Sequence, residues 1–170
     1  MASPSDPMPD PLNTAPAGRV AGLTIGTPTG AFTLIETDGV LTGARWGGAV
    51  LDEDTPLLTE AARQIEAYFD GRREVFELPL RIEASRVQQR ACAAMLAIPM
   101  GQTRTYGEIA RGLKVSAQAT GQLCGNNPIP LIVPCHRVLG ARGLGGFSAP
   151  DGVETKVWLL RHEKAGGLLI

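Results

Sequence analysis

The pattern of apolar and polar positions divides the chain into two parts with different periods. Residues 23–25, 31–36 and 40–46 are short runs rich in β-branched and apolar side chains. Gly26-Thr27-Pro28-Thr29-Gly30 separates the first two runs, and Asp38-Gly39 the second two. Asp-Gly between two such runs is a hairpin signal, because the tightest turns need positive φ at both central positions. The runs predict a small antiparallel sheet of about three strands. After Thr55-Pro56 the period lengthens. Leu58, Ala62, Ile65 and Phe69 recur at near-helical spacing, and Asp70-Gly71 ends the helix. Residues 76–82 are a candidate for one further strand.

The second part is helical. Residues 85–97 are alanine-rich, with Val87, Ala91, Met95 and Ile98 on one side and Pro99 and Gly101 at the end. Thr105 caps a helix over 106–113, and Glu108 three residues on completes a capping box. Lys114-Val115 is a brief turn. Ser116 caps a second helix over about 117–124, which ends at Asn126-Asn127-Pro128. Two short helices and a tight turn make a helix-turn-helix. A last helix over 153–164 carries Val157, Trp158 and Leu160 for packing, His162-Glu163 near its end, and Gly166-Gly167 as its stop.

The predicted class is α+β: a small N-terminal antiparallel sheet with a helix, then a mainly helical part. The expected division is a disordered tail over 1–18, an N-terminal α/β domain over 19–84 and a C-terminal helix-turn-helix domain over 85–170.

Composition narrows the function classes. Hydrophobic content of 44% and charged content of 19% describe an ordinary globular chain. No apolar run approaches the roughly 20 residues of a membrane helix. Met1 to Pro16 has five prolines and no apolar core. It therefore reads as a tail and not a signal peptide, and cytoplasmic residence is expected. The net charge is −1, yet residues 101–145 hold Arg104, Arg111, Lys114, Arg137 and Arg142 against Glu108 alone. That local excess suits phosphate contacts; chance clustering on a solvated face is the rival reading.

Three cysteines (Cys92, Cys124, Cys135) show no disulfide-framework spacing. With only His136 and His162 beside them, a zinc site of the usual four-ligand spacing is not available, and no metal is expected.

The chemistry concentrates at Pro134-Cys135-His136-Arg137-Val138, after the apolar run Ile129-Pro130-Leu131-Ile132-Val133. A free thiol has a pKa of about 8.5, and a neighbouring base or cation raises its thiolate fraction. A buried cysteine beside an unrelated histidine is the alternative for such a pair taken alone. Downstream, Gly140-Ala141-Arg142-Gly143-Leu144-Gly145-Gly146-Phe147-Ser148 is a glycine-rich loop that lacks the Lys-Ser or Lys-Thr of a phosphate-cradling loop.

Three stretches together are similar to one family. They are Ile98-Pro99-Met100-Gly101-Gln102-Thr103 with Thr105-Tyr106, then Asn127 through Val138, then Trp158-Leu159-Leu160-Arg161-His162-Glu163. The chain resembles the methylated-DNA–protein-cysteine methyltransferases (O6-alkylguanine-DNA alkyltransferases), closely over about 85–165 and more loosely over 20–84.

The resemblance implies a protein that flips an alkylated guanine out of double-stranded DNA and takes the alkyl group irreversibly onto Cys135, without a cofactor. O4-methylthymine is a possible second substrate. His136 would be the general base acting through a water, and Glu163 would orient it. Tyr106 would donate toward the guanine ring. Asn127 would hold the helix-turn-helix against the cysteine loop. Val138 (through its carbonyl), Ser148 and Phe147 would line the base pocket. Thr105, Tyr106, Ser116, Gln118, Ala119, Gln122 and Arg137 would meet DNA in the minor groove, with Arg137 alternatively holding the loop. A monomer is expected, with cooperative binding along DNA a further possibility.

Four departures stand out. Gln118 occupies the place of an arginine that enters the base stack. Ala149-Pro150-Asp151-Gly152 replaces a shorter Gly-Gly loop. Phe147 replaces a common tyrosine. Val87 and Cys92 replace a phenylalanine and a tryptophan. Cys124 reads as a packing residue. The alternative function is a non-catalytic binder of alkylated bases; a cysteine hydrolase is more remote, for want of an oxyanion hole.

Overall fold

Three antiparallel strands open the fold in the computed structural model, which describes residues 18–145 and 152–165. The expected tail, apart from Gly18, and the pair Gly166-Gly167 lie outside the described residues. Strands β1 (Val20–Thr27), β2 (Gly30–Thr37) and β3 (Val40–Trp46) form one sheet in that order. Thr37 pairs with Val40 across Asp38-Gly39, whose φ angles are 51° and 79°. That is the left-handed pair a two-residue hairpin requires, and glycine adopts it without steric cost.

Phe32, Leu34, Leu41 and Trp46 are buried on the sheet, with the Phe32 and Trp46 rings edge to face at 4.9 Å. Helix α1 (Pro56–Phe69) covers β1 and β2. Thr55 caps it by accepting from Leu58 N at 3.1 Å. Its buried face includes Leu58, Ala61, Ile65 and Tyr68, while Ala62 and Phe69 are only half-buried. The apolar stripe is thus turned by one position from the predicted one.

Residues 76–82 are not a strand. They run beside β3 with one bridge, Leu41 to Leu80. Leu41 N donates to Pro79 O, and Arg81 N to Leu41 O, each at 2.9 Å. Pro79 has no N–H to extend the ladder. Ala44 N donates to Pro128 O at 2.9 Å, so the second half also covers part of the open edge of β3.

Helix α2 (Arg86–Leu96) starts at the cap Ser85 and buries Gln88, Ala91, Cys92 and Met95. Val87 is half-buried, and Gln88 Nε2 instead reaches inward to Leu123 O at 2.8 Å. Helix α3 (Tyr106–Leu113) has the full capping box between Thr105 and Glu108 and ends on Lys114 in the left-handed region. Ser116 then caps helix α4 (Ala117–Gly125), which packs on α3.

A feature absent from the sequence reading joins these parts. Strand β4 (Arg104–Thr105) pairs in parallel with β5 (Val138–Leu139). This short ladder brings the start of α3 beside the chain that leaves Cys135. Helix α5 (Val153–His162) follows. It closes on Lys164 at φ 53°, with Ala165 N bonded to Leu160 O at 3.0 Å, before the predicted glycine stop. One contiguous core runs from Phe32 and Tyr68 through Met95 to Val133, Cys135 and Leu159.

Candidate active site

Cys135 opens a single 3-10 turn, Cys135–Arg137, entered through Pro134. The turn breaks the extended geometry that would send neighbouring side chains to opposite faces. Upstream, Val133 N donates to Ile129 O at 2.9 Å and Cys135 N to Val133 O at 2.8 Å. Leu131, 1% exposed, has φ 72°. A buried non-glycine residue in that region stores strain of the kind found at functional loops.

Asn127 clamps this loop. Its Nδ2 donates to Val133 O at 2.8 Å and its Oδ1 accepts from Ile129 N at 3.0 Å, and its amide helps hold down the pKa of the Cys135 thiol. Because Asn127 follows the end of α4 directly, it joins the helix pair to the cysteine loop.

Glu163, just past α5, is the electrostatic hub. His136 Nε2 lies 2.7 Å from its Oε2. Arg137 donates through Nε to Oε1 at 2.7 Å and through Nη2 to Oε2 at 3.1 Å, while Arg137 Nη1 reaches Ile98 O at 2.7 Å. Tyr68 OH also donates to Oε2, at 2.6 Å.

Burial alone would raise the Glu163 pKa, but His136 and Arg137 outweigh it and hold the carboxyl near 2. An ionised carboxylate only accepts. His136 therefore carries its hydrogen on Nε2, and Nδ1 is the basic nitrogen. Burial lowers the His136 pKa against the pull of Glu163. Burial raises that of Cys135, opposed by the Asn127 amide and the Lys156 charge. The resting state is a thiol beside a neutral imidazole, and Cys135 is 7% exposed.

Lys156 of α5 is fully buried, and its Nζ donates to Val138 O at 2.7 Å. It lies 5.8 Å from the centre of the Tyr106 ring. Burial pushes its pKa down to about 8. Tyr106 is half-buried, within electrostatic reach of Cys124 and Cys135. Gly145, at φ 73°, passes so close that a Cβ would meet the Tyr106 hydroxyl at 2.9 Å. Only glycine fits there.

Comparison with known proteins places this geometry. Residues 86–165 match the model described as 6-O-methylguanine DNA methyltransferase, DNA binding domain, and residues 23–82 match its ribonuclease-like domain. The methylated-DNA–protein-cysteine methyltransferase of Mycolicibacterium paratuberculosis is 38% identical over 151 residues, covering 83% of this chain and 90% of that protein. The crystal structure of the Mycobacterium tuberculosis O6-methylguanine methyltransferase superposes with a TM-score of 0.78 at 37% identity, covering 89% of this chain and 97% of that one. The Mycobacterium tuberculosis protein solved in complex with DNA gives 0.76 at 39% identity, covering 85% and 92%. This chain belongs to the methylated-DNA–protein-cysteine methyltransferase family.

The residues that the resemblance assigned to a methyltransferase site fall as follows. Cys135, His136, Glu163, Asn127, Tyr106 and Val138 are gathered around the 3-10 turn. The Val138 carbonyl already accepts from Lys156 and has a second lone pair for another donor. Phe147, Ser148 and positions 149–151 of the departing loop lie outside the described residues. Ser116, Gln118 and Gln122 are exposed along α4, with Thr105 and Ala119 half-buried. The Thr105 and Ser116 hydroxyls accept from Glu108 N and Ala119 N as caps.

Arg137 needs correction. It is buried, with its guanidinium committed to Glu163 and Ile98 O, so it holds the loop and offers nothing to a phosphate. The exposed or half-buried cations of that region are Arg104, Arg111, Lys114 and Arg142. Among the described residues, no helix is long and apolar enough to cross a membrane, and no cluster of three His, Cys, Asp or Glu side chains is arranged to hold a metal.

Two residues that the structure brings to this candidate site, Tyr68 and Lys156, had not been singled out from the sequence. Lys156 had a signal, since it shares the buried side of α5 with Leu159 and Leu160. Tyr68 had none, because in the stripe of α1 it reads as core. The first half reaches the site through this hydroxyl.

Proposed function

We propose that this methyltransferase repairs DNA by moving the alkyl group of O6-alkylguanine to Cys135, once per molecule. The observation that carries this reading is the buried His136–Glu163 pair on the same 3-10 turn as the buried Cys135 thiol, beside a helix pair with exposed polar residues. The α3–α4 pair docks in the minor groove of double-stranded DNA. The damaged base is extruded, because its O6 substituent cannot be reached inside the stack. Gln118 lies at the vacated position in the stack.

The Cys135 proton passes through a water to Nδ1 of His136, whose positive charge Glu163 stabilises. The sulfur pair attacks the alkyl carbon, and the bond from that carbon to O6 breaks. Its electrons return to the guanine ring, which takes a proton from Tyr106. The imidazolium proton makes good that loss through solvent. In sum, an alkyl group and a hydrogen exchange places between O6-alkylguanine and the thiol, and no external co-reactant is consumed. The thioether is stable, so the protein is not regenerated.

O4-methylthymine is a second substrate in this reading. The protein acts as a monomer, cooperatively along DNA, in the cytoplasm. Its DNA-binding and alkyl-accepting part is residues 85–170.

Incubation with an oligonucleotide carrying O6-methylguanine tests this. Intact protein should gain one methylene unit of mass, mapped to Cys135, and Cys135→Ser should gain nothing. Tight binding to the modified oligonucleotide with no mass change in either protein would replace this reading with that of a non-catalytic lesion binder.

A further inference from the structure

Tyr68 is the one described residue of the N-terminal half whose side chain hydrogen-bonds Glu163. Its ring is fully buried, packed on Phe69, Phe76 and His162 at centroid distances of 5.1, 5.4 and 5.0 Å. Its hydroxyl donates to Glu163 Oε2 at 2.6 Å, on the same oxygen that faces His136 Nε2. Its backbone carbonyl lies 2.7 Å from His162 Nε2, so α1 meets the end of α5 at two points.

We propose that Tyr68 is a positioning residue of the transfer reaction, through which the N-terminal half sets the basicity of His136. This rests on the reading of Cys135, His136 and Glu163 given above. The physical argument concerns sharing of charge. Oε1 is fixed by Arg137 Nε alone, whereas Oε2 divides its charge among His136, Tyr68 and the longer contact to Arg137 Nη2. A neutral hydroxyl donating to a carboxylate draws its electron density away from other partners. Tyr68 therefore weakens the hold of Glu163 on the His136 proton, and it fixes the plane of the carboxylate against the imidazole.

The ionisable groups around this relay are Arg137 and Cys135 on the turn, Lys156 and His162 on α5, and Glu163 itself. Of these, Arg137 and Lys156 depress the His136 pKa and Glu163 raises it. Burial and the Glu163 charge keep Tyr68 protonated, so it acts as a donor at every working pH.

Tyr68→Phe keeps the ring and removes the donor. Single-turnover transfer from O6-methylguanine DNA and the ring nitrogen signals of His136 are followed against pH in both proteins. The variant's His136 titration should move upward by about half a pH unit, while its plateau rate should fall about tenfold because the released carboxylate no longer fixes the imidazole. Site-specific 3-fluorotyrosine at position 68, a stronger donor of nearly the same shape, should move that titration downward.

A uniform loss of rate with an unmoved His136 titration in both variants would overturn the proposal and leave Tyr68 as core. If the Phe variant does not fold, the fluorotyrosine protein decides alone. Absence of transfer by the wild-type protein itself would instead overturn the alkyl-transfer reading, and the Tyr68 proposal with it.

Discussion

Arg137 grips Glu163 with the Nε–Nη2 edge of its guanidinium, at 2.7 and 3.1 Å, inside a site where neither side chain is more than slightly exposed. The pairing explains how an acid is tolerated at the end of α5, where the helix dipole disfavours it. It also turns a residue of the cysteine stretch from a surface cation into an internal brace.

Removing that brace strands a buried carboxylate. Arg137→Gln should cost about 3–5 kcal/mol in urea unfolding, the usual consequence of breaking a buried pair from one side. Arg137→Lys keeps the charge but not the fork, and should recover only part of the loss. DNA affinity of the lysine variant should fall with salt as steeply as that of the parent. Arg111→Ala, by contrast, should reduce the slope by about one. An altered slope for Arg137→Lys would return Arg137 to the DNA surface.

Stability should decline in acid for two reasons of the same sign. Glu163 titrates near 2 in the folded chain against 4.5 for the free group. Its contribution is complete above about pH 4.5 and is lost as the pH falls toward 2. His136 is held below its ordinary 6.5 by burial. The unfolded chain therefore takes that proton first, and stability falls as the pH drops through 6.5. Urea midpoints measured from pH 7 down to 3 should fall throughout. Glu163→Gln should start lower and lose less below about 4.5. A parent profile flat from pH 7 to 5 would contradict the His136 assignment, and one flat from 4.5 to 3 that of Glu163.

Much of this was visible in the residues themselves. The Asp38-Gly39 hairpin, the Thr105–Glu108 capping box and the Ser116 cap are local devices, written within four residues of where they act. The helix pair followed from the two caps, whereas the 3-10 turn at Cys135 had no such local device. What the sequence hid is long-range pairing. The β4–β5 ladder is two residues per strand and has no periodicity to detect. Residues 76–82 have strand composition, yet Pro79 leaves them only a bridge to β3. Glu163 could be placed beside His136 through a family likeness, but nothing near Tyr68 or Arg137 announced that both would converge on it.

Lys156 should raise the thiolate fraction of Cys135 for as long as it carries its charge, below about pH 8. Its ammonium favours the thiolate, against the burial that opposes it. Lys156→Met keeps much of the length and removes the charge. The rate at which Cys135 reacts with iodoacetamide at pH 7 in the DNA-free protein should therefore fall. The parent should show a second change near pH 8, where Lys156 loses its proton, and the variant should not. An unchanged rate at pH 7 would mean that the ammonium serves only the Val138 carbonyl.

Gln118 offers the sharpest test of base extrusion. It is exposed in the first turn of α4, beside the cap Ser116, and its side chain is neutral. An amide there can hydrogen-bond an orphaned base but lacks the cationic stacking of an arginine guanidinium. Unstacking a base costs a few kcal/mol, so a poorer occupant of the gap leaves less of the complex in the extruded state. Gln118→Arg should bind modified duplex more tightly, with a salt slope steeper by about one, and should transfer faster in single-turnover assays. On a single-stranded oligonucleotide, where no partner base must be abandoned, the rate advantage should shrink. Tighter binding without faster transfer would mean that extrusion does not limit the reaction and that the new charge acts only on phosphates.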